Sequence, residues 1–421
     1  MKNLFHKSTI LLFSLTLITS CGSDDNGTQV DVNTPPEGFN LLSVANGSTG
    51  VDRLPVFTWQ ASTDADGDEI TYEVYMDTED GSTLVESNIT SSSYQPEQRL
   101  ELTKEYQWRV IANDGKGGTT SSGTFSFTTR NMLAGENLTT NASFGEVWYQ
   151  TTEYFNGNFL VLGGGLGNSL ARNEVVWQST DGVNWTDVTN STSFTPRLLH
   201  ASVVFKDKLW VIGGWVDGVI FRKDIWSSTD GVNWVQETTD GGLPELYNHE
   251  VVAYDDKLWI IGGNTTDPAV FDINTNVWVS EDGVNWSIAN TTMMSFEVEY
   301  WHNLVAFDNK LWVIGGRING SNFNEMWWTK DGNTWTKSEP QPGISFGSNQ
   351  SVFVLDDRMW MLTFEADYYT TDGISWSINS VPLQEGFPSA VSTDFAIHNG
   401  AVWFPTFNTS TNTNGRVWIK E

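Results

Sequence analysis

Leu209-Trp210-Val211-Ile212-Gly213-Gly214, followed by Asp224-Ile225-Trp226 and then by Ser228-Thr229-Asp230-Gly231-Val232-Asn233-Trp234, is the stretch that decides the fold. An apolar run ending on a glycine pair reads as a buried strand whose end another backbone approaches closely. Asp-Gly ahead of a further strand reads as a two-residue hairpin turn, because glycine accepts the positive φ such turns need. Both pieces recur. The glycine-pair strand returns as Leu258 to Gly263 and Leu311 to Gly316, with a weaker copy from Phe159 to Gly164. The hairpin returns as Ser179 to Trp185, Ser280 to Trp286, Thr329 to Trp335 and Thr370 to Trp376. The first glycines, at 163, 213, 262 and 315, stand 50, 49 and 53 residues apart.

A period near 50 with four short strands per unit predicts the blades of a β-propeller. Degenerate copies without the glycine pair, Met359-Trp360-Met361-Leu362 and Val402-Trp403-Phe404, bring the number of units to six. The last unit ends at Val417-Trp418-Ile419 with no fourth strand, while Asn137 to Phe144 precedes the first as a spare one. Pairing the two segments closes the ring and removes free edges. Nineteen of the 21 Trp lie after Asn131, so these rings are expected in the core between blades rather than on a ligand.

The rest of the chain narrows the function. Its 421 residues carry 22 Lys and Arg against 52 Asp and Glu, a net charge of −30, which repels nucleic acid and anionic membrane surfaces. A single Cys excludes an internal disulfide framework and Cys-based metal sites. The chain opens on Lys2 and Lys7, then the apolar run Ile10 to Ile18, then Thr19-Ser20-Cys21: a basic start and a short apolar stretch before a break, as in a secretory leader. That run is too short to span a bilayer, which takes about 20 residues. Residues 1–20 are therefore expected to be removed, leaving Cys21 and a flexible tether to residue 36. Loss of Lys2 and Lys7 takes the net charge near −32.

Leu17-Ile18-Thr19-Ser20-Cys21 resembles the lipobox of bacterial lipoproteins, which implies lipidation at Cys21. Asp24 and Asp25 just behind it resemble the export signal of Bacteroidota surface lipoproteins, which implies the outer face of the outer membrane. From residue 37 to 130, alternating strands such as Ile70 to Tyr75 and Tyr106 to Val110 read as a β-sandwich. This stretch resembles a fibronectin type III domain, with Leu102 and Tyr106 matching its tyrosine corner and Trp59 and Trp108 its core aromatics. The chain is thus expected to be all-β, a fibronectin type III-like sandwich followed by a six-bladed propeller over 131–421. Asp64, Asp66 and Asp68 gather oxygen donors in one turn; calcium and a plain Asp-Gly turn are both open readings there. No other cofactor is expected.

Pro196-Arg197-Leu198-Leu199-His200-Ala201-Ser202-Val203-Val204, with the stretch quoted first, resembles a whole kelch repeat. That resemblance implies that each innermost strand starts at the mouth of the central channel. It places His200, His249, His302 and Gln350 at equivalent positions, where His is commonly structural. Arg197 matches the kelch Arg at the mouth, whereas Tyr247 stands before His249, and Glu299, Tyr300 and Trp301 stand before His302. The loops above add Trp215, Arg222 and Arg317. Aromatic faces beside charged groups suit a sugar or a protein surface, so these ten residues (Arg197, Trp215, Arg222, Tyr247, His249, Glu299, Tyr300, Trp301, His302 and Arg317) form the expected ligand site.

Galactose oxidase, an enzyme on a kelch scaffold, needs a Cys that this chain lacks after residue 21. The hairpin only superficially resembles sialidase Asp boxes. Kelch mutarotases for sialic acid keep an enzyme reading open, with Glu299 beside Arg197 or Arg317 as acid and base. A lyase pair of His249 with Tyr247, or His302 with Tyr300, is the other form of it. The main expectation is a monomeric, lipid-anchored surface protein that binds a glycan or an envelope or extracellular protein. A sugar epimerase or polysaccharide lyase using the same mouth, and a structural lipoprotein bound to an envelope protein, are the alternatives.

Overall fold

A computed structural model of the chain describes residues 32–421 except 133–134, 146, 167–170, 173–175, 192, 218–219, 266–271, 290–296, 340–342, 349, 364–365, 380–393 and 407–414. The leader and Cys21 lie outside the described residues. All regular structure among those described is β, without a helix.

The N-terminal unit closes two sheets on one core. One sheet runs Ser48–Val51, Phe125–Thr129, Glu105–Asn113, Thr71–Asp77, Leu84–Ile89, with Thr119–Ser121 also on Glu105–Asn113; the other pairs Phe57–Thr58 with Ser93–Tyr94. Alternation in the two longest strands sends Tyr72, Val74, Met76, Tyr106, Trp108, Val110 and Ala112 inward. They meet Phe57, Trp59 and Phe127 there. The Tyr106 hydroxyl accepts from the Glu101 N–H at 3.2 Å, which ties the chain back at the start of its strand. The segment expected as tether to residue 36 is bonded to this unit from Asn33 onward. Asn33 Nδ2 donates to Asp114 at 2.7 Å, Thr34 N to Asp66 at 2.6 Å, and Thr120 Oγ1 to the Pro36 carbonyl at 2.5 Å.

Beyond residue 135 six four-stranded antiparallel sheets follow. Their first strands are Thr151–Phe155, Ala201–Phe205, Glu250–Tyr254, Asn303–Phe307, Ser351–Leu355 and Ala396–His398. Those of the sixth, first, second, third, fourth and fifth sheets touch in that succession. The fifth-to-sixth junction is filled by Phe353, Leu355 and Trp360 against Val402, Phe404 and Trp418. The spare segment, Glu136–Ala142, is the fourth strand of the last sheet and pairs with Gly415–Lys420. Together these sheets make a propeller whose first and last segments share one sheet.

The repeated hairpin differs from the two-residue turn expected of Asp-Gly. Ser228 pairs with Trp234, which leaves five residues in the loop, and only Gly231 among them has a positive φ. The Asp230 carboxylate takes the place of a tight turn: Oδ1 accepts from Val232 N at 2.8 Å and Asn233 N at 2.7 Å, and Oδ2 from Asn233 Nδ2 at 2.7 Å. Ser228 Oγ accepts from Gly231 N at 2.8 Å. Burial pushes the Asp230 carboxyl up, but these bonds outweigh it and hold it at about 2; Asp181 and Asp282 behave alike. The Trp ending each loop then folds inward. Trp286, for example, packs with Trp210, Ile212 and Leu258 between the second and third sheets.

Candidate functional site

The glycine pairs and the histidines explain one another. Gly213 and Gly214 have φ of 61° and 100°, which glycine accepts without strain. A Cβ on Gly213 would stand 2.7 Å from the Leu246 carbonyl oxygen and 3.1 Å from His249 Cε1 of the next sheet; on Gly214 it would stand 2.7 Å from His200 Cβ of its own. Each imidazole is therefore seated between one sheet's glycine and the next sheet's strand. His200 Nε2 bonds Thr151 Oγ1 of the preceding sheet at 3.0 Å, and His302 Nε2 donates to the Ile261 carbonyl at 3.1 Å. The residue equivalent to Thr151 in the sheet before His249 is Ala201, whose side chain has no hydrogen-bonding group, and both ring nitrogens of His249 are buried and unpaired. Burial pulls His200 and His249 down to about 3 and His302 to about 4, so all three are neutral at pH 7.

Two residues expected at the mouth are internal. Arg197 is fully buried and bidentate to Asp224, at 2.8 and 3.0 Å, with further bonds to the carbonyls of Gly213 and Thr195. A guanidinium so enclosed has no donor facing a ligand. Glu299, 3% exposed, accepts from Asn264 Nδ2 at 3.2 Å and Asn319 N at 3.0 Å. The acid–base pair of Glu299 with Arg197 is not formed, since each is held by other partners.

The remaining expected residues form two groups. In one, Arg317 lies over the Trp301 ring at 5.7 Å, Tyr300 meets Trp301 edge-on at 4.8 Å, and Arg317 N donates to the Tyr300 carbonyl at 2.9 Å. In the other, Trp215 stacks on Phe221 at 6.4 Å and Phe221 on buried Tyr247 at 4.6 Å, with Arg222 next to Phe221 in the same strand. Trp301, His249 and His302 also line the cavity on the ring axis.

That cavity, about 450 Å³, is walled by the first strands of all six sheets. Its rim repeats a backbone device. Tyr149, Leu199, Asn248 and Trp301 each precede the His or Gln position, and each has φ of 57°. Left-handed backbone is uncommon for residues other than glycine and Asn, and it concentrates where surrounding structure enforces it. Here it turns N–H groups onto the neighbouring sheet: Leu199 N donates to the Tyr149 carbonyl at 3.2 Å, and Asn248 N to the Leu199 carbonyl at 3.0 Å. The side chains of all four line the cavity.

Three carboxyl groups inside escaped the sequence reading: Glu153, Glu250 and Asp394. Glu153 accepts from Ser202 Oγ at 2.8 Å and Asp394 from Thr152 N at 3.0 Å, each reaching to the next sheet. Glu250 is exposed to the lumen, and its carboxylate makes no hydrogen bond to a described residue. Desolvation in the channel, with the Asp394 charge adding to it, pushes Glu153 up to about 8 and raises Glu250 in the same direction; desolvation also pushes Asp394 up to about 6. A detectable signal was present in the sequence, a carboxylate interrupting an apolar first strand at Glu250-Val251-Val252. The two surplus acids would have had to be placed on one axis to mean anything.

At the N-terminal turn, Asp64, Asp66 and Asp68 bring one oxygen each within 4.8 Å of one another. Asp64 Oδ1 already accepts from Asp66 N at 2.9 Å, and Asp66 Oδ2 is bonded to Thr34 N. Three carboxylates supply at most half of the 6–8 oxygens calcium takes.

The family model described as the KLHDC2/KLHL20/DRC7 Kelch-repeats domain matches residues 149–363, just over half of the chain. That span runs from the rim residue Tyr149 to the end of the fifth sheet's second strand. No curated protein matches the chain.

Proposed function

The chain belongs to the kelch-repeat family, and from that premise we propose a lipid-anchored cell-surface protein whose six-bladed propeller binds a protein or glycan at its channel mouth. Kelch propellers generally serve protein interaction, which favours a protein ligand. The observation that carries the reading is the placement of the N-terminal unit. It docks on the turns at Asp356 and Gly400, which end the first strands of the fifth and sixth sheets, opposite the His and Gln positions. The rim is thereby left uncovered by that unit. Alternation, the Tyr106 hydroxyl bond and the aromatic core support a fibronectin type III-like spacer. The basic and apolar start before Cys21 supports the anchor.

Trp301 and Arg317 are the exposed-side pair on the rim, so they are the residues to remove. A soluble form without the leader and Cys21, residues 22–421, is screened against surface proteins and polysaccharides, and the ligand found is retested with the Trp301→Ala, Arg317→Ala double variant. The expected loss is at least about tenfold, since rim aromatics and arginines carry much of an interface's energy. Unchanged affinity in a folded double variant overturns the mouth as the binding site. Unchanged fractionation and protease accessibility of a Cys21→Ser variant in cells overturns the anchor.

A further inference from the structure

Among the described residues, five of the six seams between neighbouring sheets are built alike. A bulky second-strand side chain lies against the loop glycine of the following sheet. Trp312 does so on Gly373 and Trp403 on Gly182, where a Cβ would stand 2.3 Å from the ring. The Trp that ends the same loop fills the seam beside it, as Trp376 does between the fourth and fifth sheets.

The seam between the fifth and sixth sheets has no such loop. The sixth sheet's third and fourth strands, Gly415–Lys420 and Glu136–Ala142, come from opposite ends of the propeller sequence, so no hairpin joins them. Trp360, the fifth sheet's counterpart of Trp312, is nevertheless fully buried. Its cover comes from the N-terminal unit and the segment behind it. Leu102, 2% exposed, and Met132, 0% exposed, join Trp360, Val402 and Trp418 in the core of this seam. Asn379 of the fifth sheet accepts from Asn131 Nδ2 at 3.2 Å and donates to the Met132 carbonyl at 3.2 Å. Arg358, at the head of the strand that carries Trp360, donates to Thr103 Oγ1.

A second observation lies at the axis. First strands of neighbouring sheets come close at the other five junctions, whereas those of the fifth and sixth, Ser351–Leu355 and Ala396–His398, stand further apart. Phenyl rings occupy the gap: Phe395 lies 5.4 Å from Phe353 and 5.9 Å from Phe404. Phe353 and Phe395 also line the channel, so the seam is continuous with it. Inside the seam Lys420 and Asp367 form a buried ion pair. At its lower edge one side chain of the N-terminal unit holds both sheets. Arg53 donates to Asp356 on the fifth sheet's turn at 3.1 Å and to the Gly400 carbonyl on the sixth sheet's turn at 2.5 Å.

We infer that the N-terminal unit is the clasp of the ring: with Met132 it takes the place of the missing loop, and its release opens the fifth-to-sixth seam into the channel. This role goes beyond that of a spacer and does not depend on what the mouth binds. Withdrawing Leu102 exposes the apolar face of Trp360, which weakens this seam and no other. Opening is local, since proteins open first where the fewest contacts tie them. The sixth sheet itself persists, because its pairing with Glu136–Ala142 is untouched.

Thiol labelling tests the clasp. Residues 22–421 contain no Cys, so a Cys introduced into a seam is the only thiol of that soluble form. Val402→Cys reads the fifth-to-sixth seam, and Val211→Cys, equally buried, reads the seam between the first and second sheets. The rate of reaction with dithiobis(nitrobenzoate) is followed in each, with and without Arg53→Ala. Expected is a rate at Val402→Cys raised about tenfold or more by Arg53→Ala, and an unchanged rate at Val211→Cys. Leu102→Ala, which leaves the Arg53 pair with Asp356 in place, is read in the same way and serves alone if Arg53→Ala does not fold.

Equal acceleration at both seams, which is general loosening, overturns the inference. So does an unchanged rate at Val402→Cys in the folded variants, most directly where the radius of gyration has grown, since the unit would then have left with the seam still shut. No ligand enters this measurement, so failure of the mouth reading and failure of the clasp are told apart.

Discussion

At the scale of single residues, position in the repeat and role in the structure part company most clearly at Arg197. Its place at the start of a kelch unit put it at the mouth, yet all of its guanidinium bonds are internal. Removing one partner of a buried pair leaves the other uncompensated, so Arg197→Ala is expected to cost about 3–5 kcal/mol. Urea denaturation of the mature chain measures it. A loss of ligand affinity without a loss of stability would return Arg197 to the binding surface. Asp224 is the group left behind: burial raises its carboxyl, and the Arg197 bonds outweigh that and hold it below the ordinary carboxylate range. Glu250 teaches the converse. Its place at the head of an apolar strand was visible in the sequence, but only the meeting of the sheets on one axis brings it near Asp394, whose charge helps to raise its carboxyl.

At the scale of the element, the repeated Asp-Gly loop was legible as punctuation but not as a joint. Its glycine does more than relieve a positive φ. A Cβ on Gly332 would lie 2.1 Å from the Trp259 ring of the preceding sheet, on Gly373 2.3 Å from Trp312, and on Gly283 2.8 Å from Trp210. Each second-strand Trp thus lies against the bare face of the next sheet's loop, which is why the two motifs repeat together. Gly332→Ala meets both penalties, a left-handed backbone at φ of 72° and an overpacked contact, and should destabilise by about 2–4 kcal/mol. Gly320, also at positive φ but with open space around it, is the comparison: Gly320→Ala pays only the backbone part. Equal effects at the two sites, in thermal or urea unfolding, would remove the Trp contact from the explanation.

At the scale of the whole molecule, the N-terminal unit is fastened to the ring rather than strung from it. Arg53, wholly buried, donates to Asp356 at 3.1 Å, to the Gly400 carbonyl at 2.5 Å and to the Leu100 carbonyl at 2.6 Å. Leu102 N also donates to Asp356, at 2.8 Å, while the Leu102 side chain joins the core of the fifth and sixth sheets. Arg99 and Arg130 both reach Glu421. Arg53→Ala leaves Asp356 without its buried partner, and about 3–5 kcal/mol of docking should be lost. Small-angle scattering then expects a larger radius of gyration, with each unit still folded. An unchanged radius would mean that Leu102 and the Glu421 pairs hold the units together without Arg53.

The sequence by itself determined the periodic part of this protein. Strand runs, loop chemistry and the glycine-pair spacing near 50 residues are local, and each is written several times over, so errors in one copy are corrected by the others. It also determined that a spare strand stood at one end and a gap at the other, which made closure of the last sheet readable. The tertiary structure alone decided which side chains share the axis. Thr151, Ala201, Glu250, Asn303, Ser351 and Asp394 are far apart in the chain and differ in type, and they meet only because six sheets bring their first strands around one centre. Two consequences follow from that convergence: a His249 whose buried ring nitrogens find no partner, and carboxyls at 153 and 250 raised in part by the Asp394 charge. A residue's charge state depends on what surrounds it in space, and that is the quantity a linear pattern does not carry.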